Sequence, residues 1–262
     1  MTDYIFIRKS RNALSSVLHI VLNLLLATVS IGVTIMTGSW LIGLILVFVS
    51  KWRIFAVNHR YWLLNLRSSL VDIIVGVSFV LLAYAAGSTF LPVHIMLITG
   101  YAIWLIFIKP RSSTTFNIIQ AISAILLGTT TASIFAPISG PAILTFITFI
   151  IGYAASHHVL VQNGENQDAT FISLIFGLIA SEIAWLSYSW LIIYTIGTTG
   201  ICFSQLSLIL SVLAFGYFEI NHELAEHGNK FRFTNVVLPI LFSLLIIVVL
   251  VVGFSQPRFN IH

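Results

Sequence analysis

The chain has 262 residues, of which 58% are hydrophobic and only 8% are charged, and its net charge is +4. A water-soluble domain carries roughly 25% charged residues, so the composition excludes a soluble globular protein. The positive balance is not a nucleic-acid footprint either, because the cations gather in short stretches between long apolar runs.

Those runs predict an all-α, polytopic transmembrane bundle forming a single integral membrane domain over residues 1–262. A run of 18 or more apolar residues can cross the ~30 Å hydrocarbon core as a helix. The alternating short strands of a membrane β-barrel are not evident. The stretch Met1 to Arg11 is polar and no small-residue cleavage site follows it, so the first run reads as an anchor rather than a signal peptide.

Nine spans are expected in chain order. The first two, about 13–31 and 34–51, form a hairpin broken near Gly32 to Gly38. The third and fourth, about 68–87 and 90–108, are joined by Gly87-Ser88 and Pro92. Pro137, Gly140 and Pro141 mark the turn between the fifth and sixth, about 115–134 and 140–158. Gly197-Thr198-Thr199-Gly200 joins the seventh and eighth, about 170–194 and 200–221, and the ninth runs about 236–254. The regular pitch of these hairpins is the natural length of a helical pair and not a sequence repeat.

Charge then sets orientation. With the N-terminus cytoplasmic, Arg8, Lys9, Arg11, Lys51, Arg53, Arg60, Arg67, Lys109, Arg111, Lys230 and Arg232 all lie inside, and only Arg258 lies outside with the C-terminus. Short cytoplasmic loops carry this Lys and Arg excess. The Ile-rich composition and compact loops point to a prokaryotic cytoplasmic membrane.

Four groups of residues carry candidate chemistry. Between spans two and three, Lys51, Trp52, Arg53, Arg60, Trp62 and Arg67 mix cations with aromatics. Such a stretch suits an interfacial helix that meets anionic lipid headgroups, the partner this chain is expected to have. Asp72, early in span three, is placed to pair with Arg67 or Arg60 near a helix N-terminus, or to serve an ion path.

The densest cluster is Glu219, His222, Glu223, Glu226 and His227. If span eight continues as a helix, Glu219, His222, Glu223 and Glu226 share one face. Imidazole and carboxylate four residues apart can grip one divalent metal ion, the one cofactor the pattern admits. His157 and His158, at the end of span six, could complete the site if spans six and eight are neighbours. The zinc-hydrolase pattern His-Glu-x-x-His is missed by one residue, since position 226 is Glu.

Glu182 falls near the middle of span seven. A carboxylate at that depth is expected to face the bundle interior or a wet cavity. His19 and Asn23, four residues apart on span one, with Gln120, His94 and Gln205, could extend a polar ladder above and below it. The sole thiol, Cys202, rules out an internal disulfide and a cysteine-only metal site.

There is no phosphate-binding Gly-Lys motif, no dinucleotide fingerprint and no Gly-x-Ser-x-Gly turn. The pattern leads first to a transporter or channel-like protein that moves a proton, cation or small solute past Glu182. A metal-dependent enzyme acting on lipid or peptide at the cytoplasmic face is the alternative. A non-catalytic subunit or lipid-binding scaffold is the third reading.

Overall fold

The computed structural model describes residues 2–52, 56, 59–87, 91–162, 164, 168–195, 201–227 and 233–253; for residues 2–16, 222, 224–227 and 233–236 it describes the backbone alone. The helices are α1 (Thr2–Thr37), α2 (Trp40–Ser50), α3 (Trp62–Ala85), α4 (Leu91–Ile103), α5 (Thr114–Ser139), α6 (Pro141–Gln162), α7 (Ala169–Ser187), α8 (Gln205–His227) and α9 (Phe233–Val248). A 3₁₀ turn, His59–Tyr61, leads into α3, and a π turn, Trp104–Ile108, continues α4. Two short strands, β1 (Ile193–Thr195) and β2 (Cys202–Ser204), sit between α7 and α8.

Six segments are long and apolar enough to cross a membrane: Val17–Thr37, His59–Ala85, Leu91–Ile108, Thr114–Ser139, Pro141–Gln162 and Ala169–Trp190. Trp40–Ser50, Gln205–Asn221 and Val237–Gly253 are shorter apolar helices. The hairpin of α1 and α2 forms as expected, but α1 runs unbroken through Gly32. The turn is made at Gly38, whose φ of 62° suits a residue with no Cβ. Helix α5 continues through Pro137 to Ser139, five residues past the expected end, and Gly140 at φ 84° then reverses the chain.

The expected end of span seven and start of span eight are not helical. Ile193 pairs with Ser204, Tyr194 with Phe203 and Thr195 with Cys202 in an antiparallel hairpin. The β-branched and aromatic residues on either side of the Gly197 to Gly200 stretch favour strand pairing over a last helical turn. Helix α8 accordingly starts at Gln205, and it does continue through Glu219 to His227.

Packing follows small residues. A Cβ on Gly152 of α6 would stand 2.9 Å from the Ala180 Cβ and 3.3 Å from the Gly177 Cα of α7. One on Gly177 would stand 3.0 Å from the Phe149 carbonyl oxygen. Such contacts let two membrane helices approach to backbone distance. One apolar core (Ile125, Ile151, Phe176, Leu210 and Phe218) joins α5 to α8. A second (Ile31, Val75, Phe79, Tyr101 and Trp104) joins α1, α3 and the α4 segment, and Ile74 touches both.

The hydroxyl-rich turns of α5 serve that packing. Thr129, Thr131 and Ser133 each donate to the carbonyl four residues back. Thr130 instead donates to Ser207 at 2.8 Å and ties α5 to α8.

Candidate functional site

Asp72 lies ten residues into α3 and gathers a polar constellation from three helices. Its Oδ2 accepts from Lys51, which follows α2, and from Lys109 at 2.7 Å, just past the π turn. Its Oδ1 accepts from the Trp104 indole Nε1–H at 3.0 Å. Arg67, one of the two partners expected with Arg60, is five residues away, so it points about 140° around the helix from Asp72. Lys51 and Lys109 reach it instead because α2 and the α4 segment end at its depth.

The π turn makes this possible. It closes with the Lys109 amide donating to the Trp104 carbonyl at 2.9 Å, a five-residue spacing. That spacing brings Trp104 and Lys109 to one face, where an α-helix would splay them apart. Gln120 of α5 secures the end of the turn. Its Nε2 donates to the carbonyls of Ile108 at 2.8 Å and Arg111 at 2.9 Å, so its Oε1 must be the acceptor toward His158 Nε2, also at 2.8 Å. His158 therefore donates from Nε2.

The electrostatics are unbalanced, with two ammoniums facing one carboxylate. Lys51 is 11% exposed, and burial pushes its pKa down to about 8 against the pull of Asp72. Lys109 is 41% exposed; burial lowers its pKa too, but the Asp72 carboxylate outweighs that and holds it above the ordinary value. Lys51 is therefore the member that gives up a proton first.

Above the triad, the buried rings of Phe79 and Tyr101 stack with centroids 5.1 Å apart. Gly76 makes room for the Tyr101 hydroxyl, which would stand 3.0 Å from a Cβ at that position. Beyond the rings lies a cavity of about 450 Å³ between α3, α4, α5 and the β-hairpin. Its walls are mainly apolar (Phe79, Met96, Leu97, Leu127, Phe203), with Ser123, Thr130 and Cys202 as its polar contributions. Cavity, stacked rings and triad thus follow one another along α3 and α4. Burial also raises the Cys202 thiol pKa.

The other expected site residues are dispersed. Glu182 stands on the exposed face of α7 rather than in the bundle interior, flanked by exposed Leu178, Ile179, Trp185 and Leu186. The packed face of α7 is the stripe Ala169, Ser173, Gly177, Ala180, Ala184 and Ser187. Glu182 is two residues from both Ala180 and Ala184, about 200° around the helix. His19 and Asn23 do share a face, with Asn23 Nδ2 2.9 Å from His19 Nδ1, and Asn23 also reaches the Leu105 carbonyl at 3.4 Å. His94 is buried in α4 with no partner for Nε2. Gln205 donates to the Leu250 carbonyl at 2.8 Å. No ladder connects these residues through Glu182.

Helices α6 and α8 do meet, at the Ser156 and Tyr217 hydroxyls 3.0 Å apart. His158 is turned to Gln120, however, and His157 stacks on Tyr153 with centroids 5.7 Å apart. Glu219 and Glu223 are half-buried on α8. Among the described residues no three His, Cys, Asp or Glu side chains stand close enough to hold a metal ion. The side chains of His222, Glu226 and His227 lie outside those residues. In the expected headgroup stretch Trp52, Arg60 and Trp62 are exposed, His59 meets Trp62 edge-on at 6.5 Å, and Arg53 lies outside the described residues.

Fold and site together define a multi-pass α-helical membrane protein. The chain matches no protein-family model, no curated protein and no solved structure.

Proposed function

We propose that this protein is a membrane carrier for a small, mostly apolar solute, with the path running between α3, α4 and α5 rather than past Glu182. The observation that carries the reading is the order of three elements on the same helices: the 450 Å³ cavity, the Phe79–Tyr101 stack and the Asp72 triad. A cavity of that volume suits a small ligand, and its apolar wall with a few hydroxyls sets the ligand's chemistry. The stacked rings form the barrier below it. The triad is the inner gate, since it staples α2, α3 and the α4 segment together through one carboxylate.

Alternating access requires that gate to open. Loss of the Lys51 proton leaves one ammonium on Asp72 and loosens α2 from α3, which makes the gate responsive to protonation. By the charge bias of the loops, the triad end is cytoplasmic and the β-hairpin end faces out.

The test is occupancy. A phenylalanine at Gly100 would fill the cavity, because even a Cβ there stands 3.2 Å from the Phe79 ring. Mass spectrometry of small molecules released from purified protein should show an apolar solute enriched with wild type and lost in Gly100→Phe. That solute should then cross vesicles containing wild type. No enrichment over the variant sinks the carrier reading.

A further inference from the structure

Among the described residues Arg67 is a cation without an anion. Asp72, the acid nearest in sequence, is committed to Lys51 and Lys109. No carboxylate pairs with Arg67 among the described residues. Its guanidinium lies over the Tyr153 ring, 5.2 Å from the centroid, and Nη2 donates to the Thr170 hydroxyl at 2.7 Å. Its Nε is shut off from solvent and has no hydrogen-bond partner among the described residues. A buried N–H of a charged group left unpaired is costly, and native structures rarely retain one without a reason.

The surroundings supply the reason. Three helices converge on this point, with Arg67 from α3, Tyr153 and His157 from α6 and Thr170 from α7. His157 stacks on the same Tyr153 ring that Arg67 covers. Trp62, exposed to 41%, lies five residues before Arg67, and an exposed Trp of this kind marks headgroup level. On the membrane side of Thr170, Leu174 and Leu178 are exposed at 39% and 54% and lie about 6 and 12 Å further along α7 at 1.5 Å per residue. A fork of guanidinium donors, a hydroxyl and an imidazole at headgroup depth, with a leucine track rising from it, has the chemistry of a phosphate carrying an acyl chain.

We propose that Arg67, with Thr170 and His157, seats the phosphate of an anionic membrane phospholipid whose chain lies along Leu174 and Leu178. Arg67 turns the outer edge of its guanidinium to the phosphate oxygens, while Tyr153 and Thr170 fix the plane of the fork. The site joins α3, α6 and α7, so the lipid cements the contact between the two apolar cores. This inference stands independently of the carrier reading, because none of its residues lines the cavity or touches the triad.

The experiment is native mass spectrometry of the detergent-purified full chain titrated with phosphatidylglycerol, phosphatidylcholine or inorganic phosphate. Wild type should bind phosphatidylglycerol in preference to phosphatidylcholine. Arg67→Gln should weaken that binding at least tenfold. Arg67→Lys keeps the charge and loses the fork, so it should bind several-fold more weakly than wild type while folding normally. Thr170→Val, which leaves the arginine in place, should also weaken binding several-fold. Inorganic phosphate at millimolar concentration should not displace the lipid. Displacement by phosphate would overturn the lipid assignment in favour of a free-anion site. Equal binding of both lipids, or unchanged binding in Arg67→Lys and Thr170→Val, would overturn the site itself.

Discussion

Replacing Asp72 by asparagine tests the triad with little change of shape. Asparagine keeps an oxygen for Trp104 Nε1, so the 3.0 Å indole bond survives and only the charge is lost. Removing one partner of a buried ion pair costs about 3–5 kcal/mol when the other charge stays trapped. Two features reduce that here. Lys109 is 41% exposed and can swing to water, so its share is worth about 0.5–1 kcal/mol. Lys51 is 11% exposed and cannot swing out, but with a pKa of about 8 it is already prepared to shed its proton.

The net cost of Asp72→Asn near pH 6 is therefore about 2–4 kcal/mol, the trapped-pair figure reduced by these two routes. At about 2–4 °C per kcal/mol for a chain of this size, the melting temperature should fall by about 4–16 °C. The cost must also depend on pH. Without Asp72 the Lys51 pKa drops further, so folded wild type holds more protons than the folded variant up to about pH 8. Raising the pH through that window costs wild type stability relative to the variant, and the gap narrows. Thermal unfolding in detergent at pH 6 and pH 9 measures it. A variant as stable as wild type at pH 6, or a gap that widens at pH 9, refutes the reasoning.

Gln120→Leu removes three hydrogen bonds at once and leaves the Ile108 and Arg111 carbonyls without their amide donor. It should cost about 2–3 kcal/mol, read as a fall in melting temperature, and a neutral result would mean that water replaces the amide. Gly177→Ala drives a Cβ to 3.0 Å from the Phe149 carbonyl oxygen, which is backbone and cannot give way. A loss of about 1–3 kcal/mol is expected, with unchanged stability refuting the close α6–α7 crossing. Glu182→Leu puts an apolar residue on an exposed face at membrane depth. On insertion scales, taking the carboxylate at the value for Asp, it should favour the span by about 3–4 kcal/mol, measurable in a glycosylation-based insertion assay on the isolated segment. In the whole protein it should leave or raise the melting temperature, and a clear fall would show that the carboxylate has a partner.

The apolar helices and the α1–α2 hairpin are legible in the sequence because apolar run length is a local property. The misplacement of Glu182 was avoidable in part. The small residues Ala169, Ser173, Gly177, Ala180 and Ala184 already mark the packed face of α7, and Glu182 is out of phase with them. A mid-span carboxylate is costly wherever it points, and cost alone gives no direction.

The strands at Ile193–Thr195 and Cys202–Ser204 have a signal too, β-branched and aromatic residues on either side of a Gly-Thr-Thr-Gly sequence. Hydropathy windows absorbed it into the neighbouring helices. The triad was not legible. Lys51 and Asp72 each stand out in the sequence, but their meeting with Lys109 depends on how three helix segments align. Trp104 joins only because of a π turn, which leaves no mark in an apolar run. Nor could the cavity be read, since it is the space left between α3, α4, α5 and the hairpin.

If the protein is the proposed carrier, the Asp72 gate and the outer cavity belong to one path. Cys202 reports on it directly, being the chain's only cysteine and a wall of the cavity. The decisive measurement is the rate of Cys202 modification by N-ethylmaleimide in reconstituted vesicles at pH 8, in wild type and in Asp72→Asn. Opening the gate should shift the carrier toward its inward-open state and slow labelling several-fold, while denatured samples of both label alike. An identical rate in the folded proteins would mean that gate and cavity are not coupled, and the carrier account would be wrong.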